Sequence, residues 1–190
     1  LSPTIGNYRI LQFKQEASKG FYRWNTKISE QLSIGRTYQN YEINDNAYEG
    51  RTDFLQTGID FNAQFTKWFG ISIINLYTFN KTYINNETSG KNFSTFNSLN
   101  SAFVNLTKTL SLNVEGQYYY NNYFRKEKTS LFLNSTLEWR LKSVTLNMEC
   151  INLFNKNVFH KITDSSVLKS ENSLELRGRT FLVGIRFRII

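Results

Sequence analysis

The sequence predicts an all-β chain, an antiparallel up-and-down sheet curled into a transmembrane β-barrel. Three observations predict it. Apolar residues recur with period two over most of the 190 positions, which is the spacing of a strand with one greasy and one wet face. The alternating runs reach roughly 12–15 residues, whereas strands of globular proteins usually run 5–6, and a tilted membrane-crossing strand needs 9–11 for the hydrocarbon layer alone. Short and long connections also alternate along the chain, so one end of the sheet carries tight turns and the other carries loops.

Ten strands are predicted, at about 4–14, 20–29, 33–44, 53–66, 69–83, 93–106, 109–123, 128–139, 143–153 and 178–190. The first two carry the weakest pattern. In the fourth, Leu55, Thr57, Ile59, Phe61, Ala63 and Phe65 share one parity, against Gln56, Gly58, Asp60, Asn62 and Gln64. In the fifth, Ile71, Ile73, Tyr77 and Phe79 share a parity, with Ile74 and Leu76 on the other. The seventh opposes Leu110, Leu112, Val114, Gly116, Tyr118 and Tyr120 to Ser111, Asn113, Glu115, Gln117, Tyr119 and Asn121. The ninth opposes Val144, Leu146, Met148 and Cys150 to Thr145, Asn147 and Glu149. The last aligns Phe181, Val183, Ile185, Phe187 and Ile189 against Arg186 and Arg188.

Tight turns are expected at Thr66-Lys67-Trp68, Leu106-Thr107-Lys108 and Arg140-Leu141-Lys142, and longer polar loops at Asn44–Thr52, Ile84–Asn92, Asn121–Glu127 and Asn155–Arg177. This is the connectivity of an outer-membrane barrel, with short periplasmic turns and long extracellular loops. Aromatics gather at strand ends: Phe65, Trp68, Phe69, Phe103 and Trp139 near the turns, Trp24, Tyr38, Tyr41, Phe54, Tyr83, Phe93, Tyr118, Tyr120 and Tyr123 near the loops. Two interfacial girdles would account for them. A mean hydropathy of −0.44 fits, because only alternate residues would meet lipid. No apolar run is long enough for a membrane-crossing helix.

Composition narrows the chemistry. One Cys excludes an intrachain disulfide, and one His with one Cys excludes a zinc cluster built from those residues. The net charge of +8 comes without a run of five or more basic residues, so nucleic acid is not expected as a partner. Catalytic residues, metal ligands and cofactors are not predicted: His160 is a lone loop residue, Cys150 sits on the apolar face, and Gly58, Gly116 and Gly184 are isolated mid-strand glycines.

Two stretches resemble the C-terminal end of TonB-dependent outer-membrane receptors of the SusC-like and siderophore-receptor-like kind. Ile151-Asn152-Leu153-Phe154-Asn155, followed by Lys156-Asn157-Val158-Phe159, resembles the "NLF-Asn/Asp" segment that closes the penultimate strand in that family. Arg177-Gly178-Arg179-Thr180-Phe181-Leu182-Val183-Gly184-Ile185-Arg186-Phe187-Arg188-Ile189 resembles its last strand. One departure is the terminal Ile190, where the family usually ends on an aromatic in register with the outward set. The resemblance covers about 40 residues and implies active import of siderophores, cobalamin or glycans across the bacterial outer membrane. It further implies a plug inside a barrel of about 22 strands, energy from the TonB system, and membrane placement by the barrel-insertion machinery. Residues 1–190 would be the C-terminal part of the barrel domain, without the plug.

On that expectation, Asp60, Glu115, Glu149, Arg186 and Arg188 supply lumen charge, with Glu138 a further acidic candidate for pairing with the two arginines. Asn86, Tyr123, Phe124, Arg125 and His160 are the candidate ligand contacts at loop tips, suited to a glycan or a small aromatic chelator. Two alternatives stand beside the importer: a small self-contained outer-membrane barrel acting as an anchor or adhesin, and a soluble lipocalin-like barrel binding lipophilic ligands inside. In the latter the apolar face would have to point inward.

Overall fold

The computed structural model describes residues 4–22, 25–43, 46–85, 87–88, 92–123, 128–164 and 169–187, with backbone alone at 4–6, 41–43, 46, 87–88, 161–164 and 169–171. The described residues are all-β. The strands are β1 Thr4–Phe21, β2 Thr26–Ile43, β3 Asn46–Thr66, β4 Phe69–Ile84, β5 Glu87–Thr88, β6 Phe93–Asn105, β7 Leu110–Asn121, β8 Thr129–Arg140, β9 Val144–Ile151, β10 Val158–Asp164, β11 Lys169–Glu175 and β12 Thr180–Phe187. Nine of them form one antiparallel meander, in the order β1-β2-β3-β4-β6-β7-β8-β9-β12, with the short β5 added to β4. β10 and β11 make a separate hairpin.

The up-and-down antiparallel sheet is the predicted one, with several differences. Instead of three strands at 4–14, 20–29 and 33–44, two 18-residue strands fill this region, paired from Phe21↔Thr26 onward. Asn25 adopts φ 43° there and its N–H donates to the Tyr22 carbonyl. Asparagine tolerates this left-handed backbone better than most residues. The loop expected at 44–52 is mostly strand, since β3 starts at Asn46 and pairs with β2 from Ile43↔Asn46 onward. The loop expected at 155–177 contains the β10–β11 hairpin. The sheet is not closed: β1 and β12 are its two edges.

The three tight turns fall where expected, and the first two are built alike. The Thr66 hydroxyl accepts from the N–H groups of Trp68 and Phe69, and the Thr107 hydroxyl accepts from those of Thr109 and Leu110. These local side-chain bonds satisfy amides that the ladder leaves behind, the usual reason threonine suits a turn.

Register decides what the faces become. Following cross-strand partners through the sheet, Ile28↔Phe61↔Ile73 and Ala102↔Val114↔Ser135↔Cys150↔Phe181 lie on one side. Leu112↔Leu137↔Met148↔Val183 lie on the same side. From β2 to β12 the parities therefore join into a single apolar face, which on β1 carries Leu11 and Phe13 together with Gln15 and Lys19. Glu30, Asn75, Ser98 and Asn100 interrupt it near mid-strand. The other face carries Gln31, Ser33, Gln56, Asp60, Asn62, Glu115, Gln117 and Glu149, together with Ile74 and Leu76.

This single layer has almost no apolar core. Ala63 and Phe93 are the buried hydrophobic residues among those described, whereas Val183 is 71% exposed, Phe13 58% and Ile59 54%. Most buried polar side chains belong to the opposite face, including Ser33, Gln39, Thr52, Thr82 and Ser130. Two hollows of ≈ 550 and ≈ 460 Å³ lie largely on that polar side, along Lys27, Gln64 and Gly70 and along Gln31, Gly58 and Asp60. Small residues let it crowd. An ideal Cβ on Gly70 would lie 2.2 Å from the Phe103 ring opposite, and one on Gly35 would lie 2.4 Å from the Leu11 carbonyl and 2.7 Å from the Phe54 ring.

Candidate functional site at the loop end of the sheet

The polar face ends, on its loop side, in a mouth organised by asparagines. Asn152, 6% exposed, is the hub. Its side-chain amide donates to the carbonyls of Lys156 (2.7 Å) and Arg177 (2.9 Å), its side-chain oxygen accepts the Lys156 N–H (2.9 Å), and its own N–H donates to Asn134 Oδ1 (2.9 Å). Both strands of the returning chain are thereby tied to the end of β9. Asn155 repeats the device: its Oδ1 accepts the Arg179 N–H at 2.8 Å, while Arg179 Nε donates to the Leu153 carbonyl at 2.9 Å. Asn152 and Asn155 take φ values of 56° and 55°, a conformation in which most side chains are strained and asparagine is tolerated. The Asn-Leu-Phe-Asn segment picked out in the sequence is thus the clasp that turns the chain out of β9 and returns it as β12.

Held by that clasp, the β10–β11 hairpin leans over the polar face. Phe159 of β10 meets Tyr119 edge-on at 5.3 Å between ring centroids and Phe132 at 5.5 Å. Both partners have the parity of Gln117 and Glu115, so they belong to the polar side. Edge-to-face pairs contribute about 0.5–1.5 kcal/mol each beyond the area they bury. The β10–β11 strand pair is therefore a flap across the mouth. His160 lies within it, with Nδ1 2.9 Å from the Ser173 hydroxyl, rather than at a tip.

The other predicted contacts divide. Tyr123 is half-buried against Phe93, with its N–H donating to Asn121 Oδ1, and Asn121 is 1% exposed. Asn122 caps the neighbouring segment by accepting from Ser94 N–H and donating to the Asn92 carbonyl. Asn86, Phe124 and Arg125 lie outside the described residues, as do Arg188 and Trp24. Of the residues expected to supply lumen charge, Asp60, Glu115, Glu149 and Arg186 all carry polar-face parity. They do not pair with one another. Glu115 accepts from Asn113 Nδ2 at 2.9 Å, Asp60 Oδ1 has no hydrogen-bond partner, and Glu138 pairs with Arg140 two residues along its own strand. Among the described residues no group of three or more His, Cys, Asp or Glu is placed to hold a metal ion.

A second cluster, invisible in the sequence, lies on the apolar face at its loop-side rim. Pairing aligns Arg9, Tyr38, Arg51 and Tyr83 in one row and Leu11, Arg36, Asp53 and Lys81 in the next. Arg36 grips Asp53 with two bonds, Nε to Oδ1 at 2.5 Å and Nη2 to Oδ2 at 3.2 Å, and Nη1 donates to the Tyr38 hydroxyl at 3.4 Å. The Arg51 guanidinium stacks on the Tyr83 ring at 3.9 Å, and Lys81 Nζ lies 5.1 Å from the same ring. No single strand carries this pattern, because it arises only when β1 to β4 are placed in register.

Comparison with known proteins returns no match to a family model, to a curated protein or to a solved structure.

Proposed function

We propose that this chain is barrel wall from an outer-membrane nutrient importer of the TonB-dependent class, carrying siderophore, cobalamin or glycan cargo. The observation that carries the proposal is the segregation of faces across the register-locked strands β2 to β12: an open apolar face with no packing partner among the described residues, backed by a polar face on which Asp60 Oδ1 has no hydrogen-bond partner. In water such a sheet would leave Phe181, Val183, Ile185 and Phe187 solvated at 58–71% exposure. Against hydrocarbon the same residues are stabilised, at about 25 cal/mol for each Å² taken from water.

The open edges support a larger barrel over a self-contained one. A strand edge in hydrocarbon leaves backbone groups unsatisfied at several kcal/mol each. β1 alone presents an 18-residue edge, so further strands must cover it. The lipocalin-like alternative needs a greasy interior, whereas here the more crowded face is the hydrophilic one. In the importer, the polar face would line a hydrated lumen against a plug, and the Phe159 flap would sit over the route that cargo takes from the loop side. Asp60, Glu115, Glu149 and Arg186 would set the field along that route.

Trp139 offers a direct test. It is 45% exposed on the apolar face, beside the turn-side rim. The full-length protein is reconstituted into vesicles of phosphatidylcholine brominated along its acyl chains, with Trp139→Phe as the reference for the other tryptophans. Strong quenching of the Trp139 component is expected, together with cargo uptake in cells that collapses when the proton gradient is dissipated. Emission indifferent to bromine would refute the lipid-facing assignment. Quenching without energised uptake would refute the importer while leaving an outer-membrane barrel.

A further inference from the structure

We infer that the rim cluster of Arg36, Arg51 and Lys81, with Tyr38 and Tyr83, is a binding site for the phosphate of an anionic lipid headgroup in the loop-side leaflet. The inference rests on the proposal that the apolar face meets lipid. Three adjacent rows across β1 to β4 carry it: Arg9, Tyr38, Arg51, Tyr83; then Leu11, Arg36, Asp53, Lys81; then Phe13, Ile34, Leu55, Phe79. The charged rows give way to a wholly apolar one within a single step of the pleat. From Asp53 to Ala63, ten residues rising about 3.3 Å each and tilted by roughly 40° span ~25 Å of depth, the height of the apolar band in such barrels. Asp53 and its neighbours then lie where acyl chains end and phosphates begin.

The charge is unbalanced in favour of an anion. Arg9, Arg36, Arg51 and Lys81 stand in two rows with one carboxylate, Asp53, and Glu49 stands one row further out. Arg36 already saturates Asp53 with its paired bonds. Arg51 is left 3.9 Å from Asp53 Oδ1, with its Nε buried and lacking a hydrogen-bond partner. Lys81 has no carboxylate within ion-pair distance among the described residues. A buried guanidinium donor without an acceptor among the described residues, lying over a tyrosine ring, is poised for an acceptor from outside the chain. Phosphate oxygens match that fork, and the tyrosine rings favour the same interfacial depth.

The test uses the full-length protein in nanodiscs of phosphatidylcholine carrying one-tenth of a bisphosphorylated glycolipid, with bound glycolipid counted by native mass spectrometry. Two neutralisations, Arg51→Gln with Lys81→Gln, should weaken retention about thirty-fold, from the usual contribution of each cation near an anionic surface. The charge-keeping pair Arg51→Lys with Lys81→Arg should retain the lipid, as should Lys67→Gln with Lys142→Gln at the turn end. Millimolar inorganic phosphate should not displace it, since the acyl chains hold the headgroup at this height. Retention unchanged in the neutral pair, equal loss in the charge-keeping pair, or displacement by free phosphate would each overturn the inference. Failure of the wild type to float with vesicles would instead remove the lipid-facing proposal beneath it.

Discussion

Placing a charge in the middle of the apolar face separates a lipid-facing sheet from every other arrangement, and Val114→Arg is the best position for it. Val114 is half-buried on β7 between Ala102 and Ser135, its direct cross-strand partners, neither of which can neutralise an arginine. Ile59 is the poorer choice because Glu30 stands directly opposite and would accept an ion pair. In a lipid-facing sheet, four residues beyond Leu110 at about 3.3 Å per residue and a tilt of roughly 40° would place Val114 ~10 Å above the turn-side rim of a band some 25 Å tall, near its centre. Arginine there costs about 2–4 kcal/mol. At 3 kcal/mol the folding equilibrium falls ~150-fold, and with an m-value of about 2 kcal/mol/M the urea midpoint drops by ~1.5 M. The assay is reversible urea unfolding of the full-length protein in phospholipid vesicles, followed by tryptophan emission. The control is Asn113→Arg, one residue away on the polar face, where Asn113 now donates to exposed Glu115 and an arginine would find the same carboxylate. Its shift should stay within ~0.5 kcal/mol, as for ordinary surface substitutions. Equal shifts at 113 and 114, or no shift at 114, would refute the assignment of faces.

Four further outcomes are expected. Asn152→Gly should loosen the clasp by removing three side-chain hydrogen bonds, at about 1 kcal/mol each, while Asn152→Ala should cost a further ~1 kcal/mol for its left-handed backbone; thermal melts of the two variants give the difference. Phe159→Ala should free the β10–β11 hairpin from Tyr119 and Phe132, raising hydrogen exchange across Val158–Asp164 and Lys169–Glu175. Deletion of Lys156–Glu175, which also removes one clasp partner, should nonetheless leave β9 paired with β12 and the sheet content by circular dichroism intact. Gly35→Ala should destabilise by about 1–3 kcal/mol, because its Cβ would press on a backbone carbonyl, whereas Gly116→Ala, with 3.7 Å to its nearest neighbour, should be neutral or slightly stabilising in the same urea titration.

Where alternation was strong, strand and turn positions were legible. β7, β9 and β12 begin and end within a few residues of expectation, and the threonine turns at 66–69 and 107–110 follow from local chemistry alone. The clasp was visible as a motif, although its role was not. Boundaries failed in the N-terminal third because Gln15, Ala17 and Lys19 share a face with Leu11 and Phe13, so period two fades while the backbone ladder continues. Arg51 and Asp53 hid the start of β3 in the same way. A strand needs only its amides paired, and that requirement leaves no mark on polar side chains.

Residue order by itself determined that the chain is β throughout, where most of it turns, and which parity of each strand is greasy, since these depend on neighbours within a few positions. Only the tertiary structure decided that those parities join into one continuous face, that Arg36, Asp53, Arg51 and Lys81 converge at its rim, and that Phe159 reaches back to Tyr119 and Phe132. Each of these depends on register between strands, which hydrogen bonds between distant segments select.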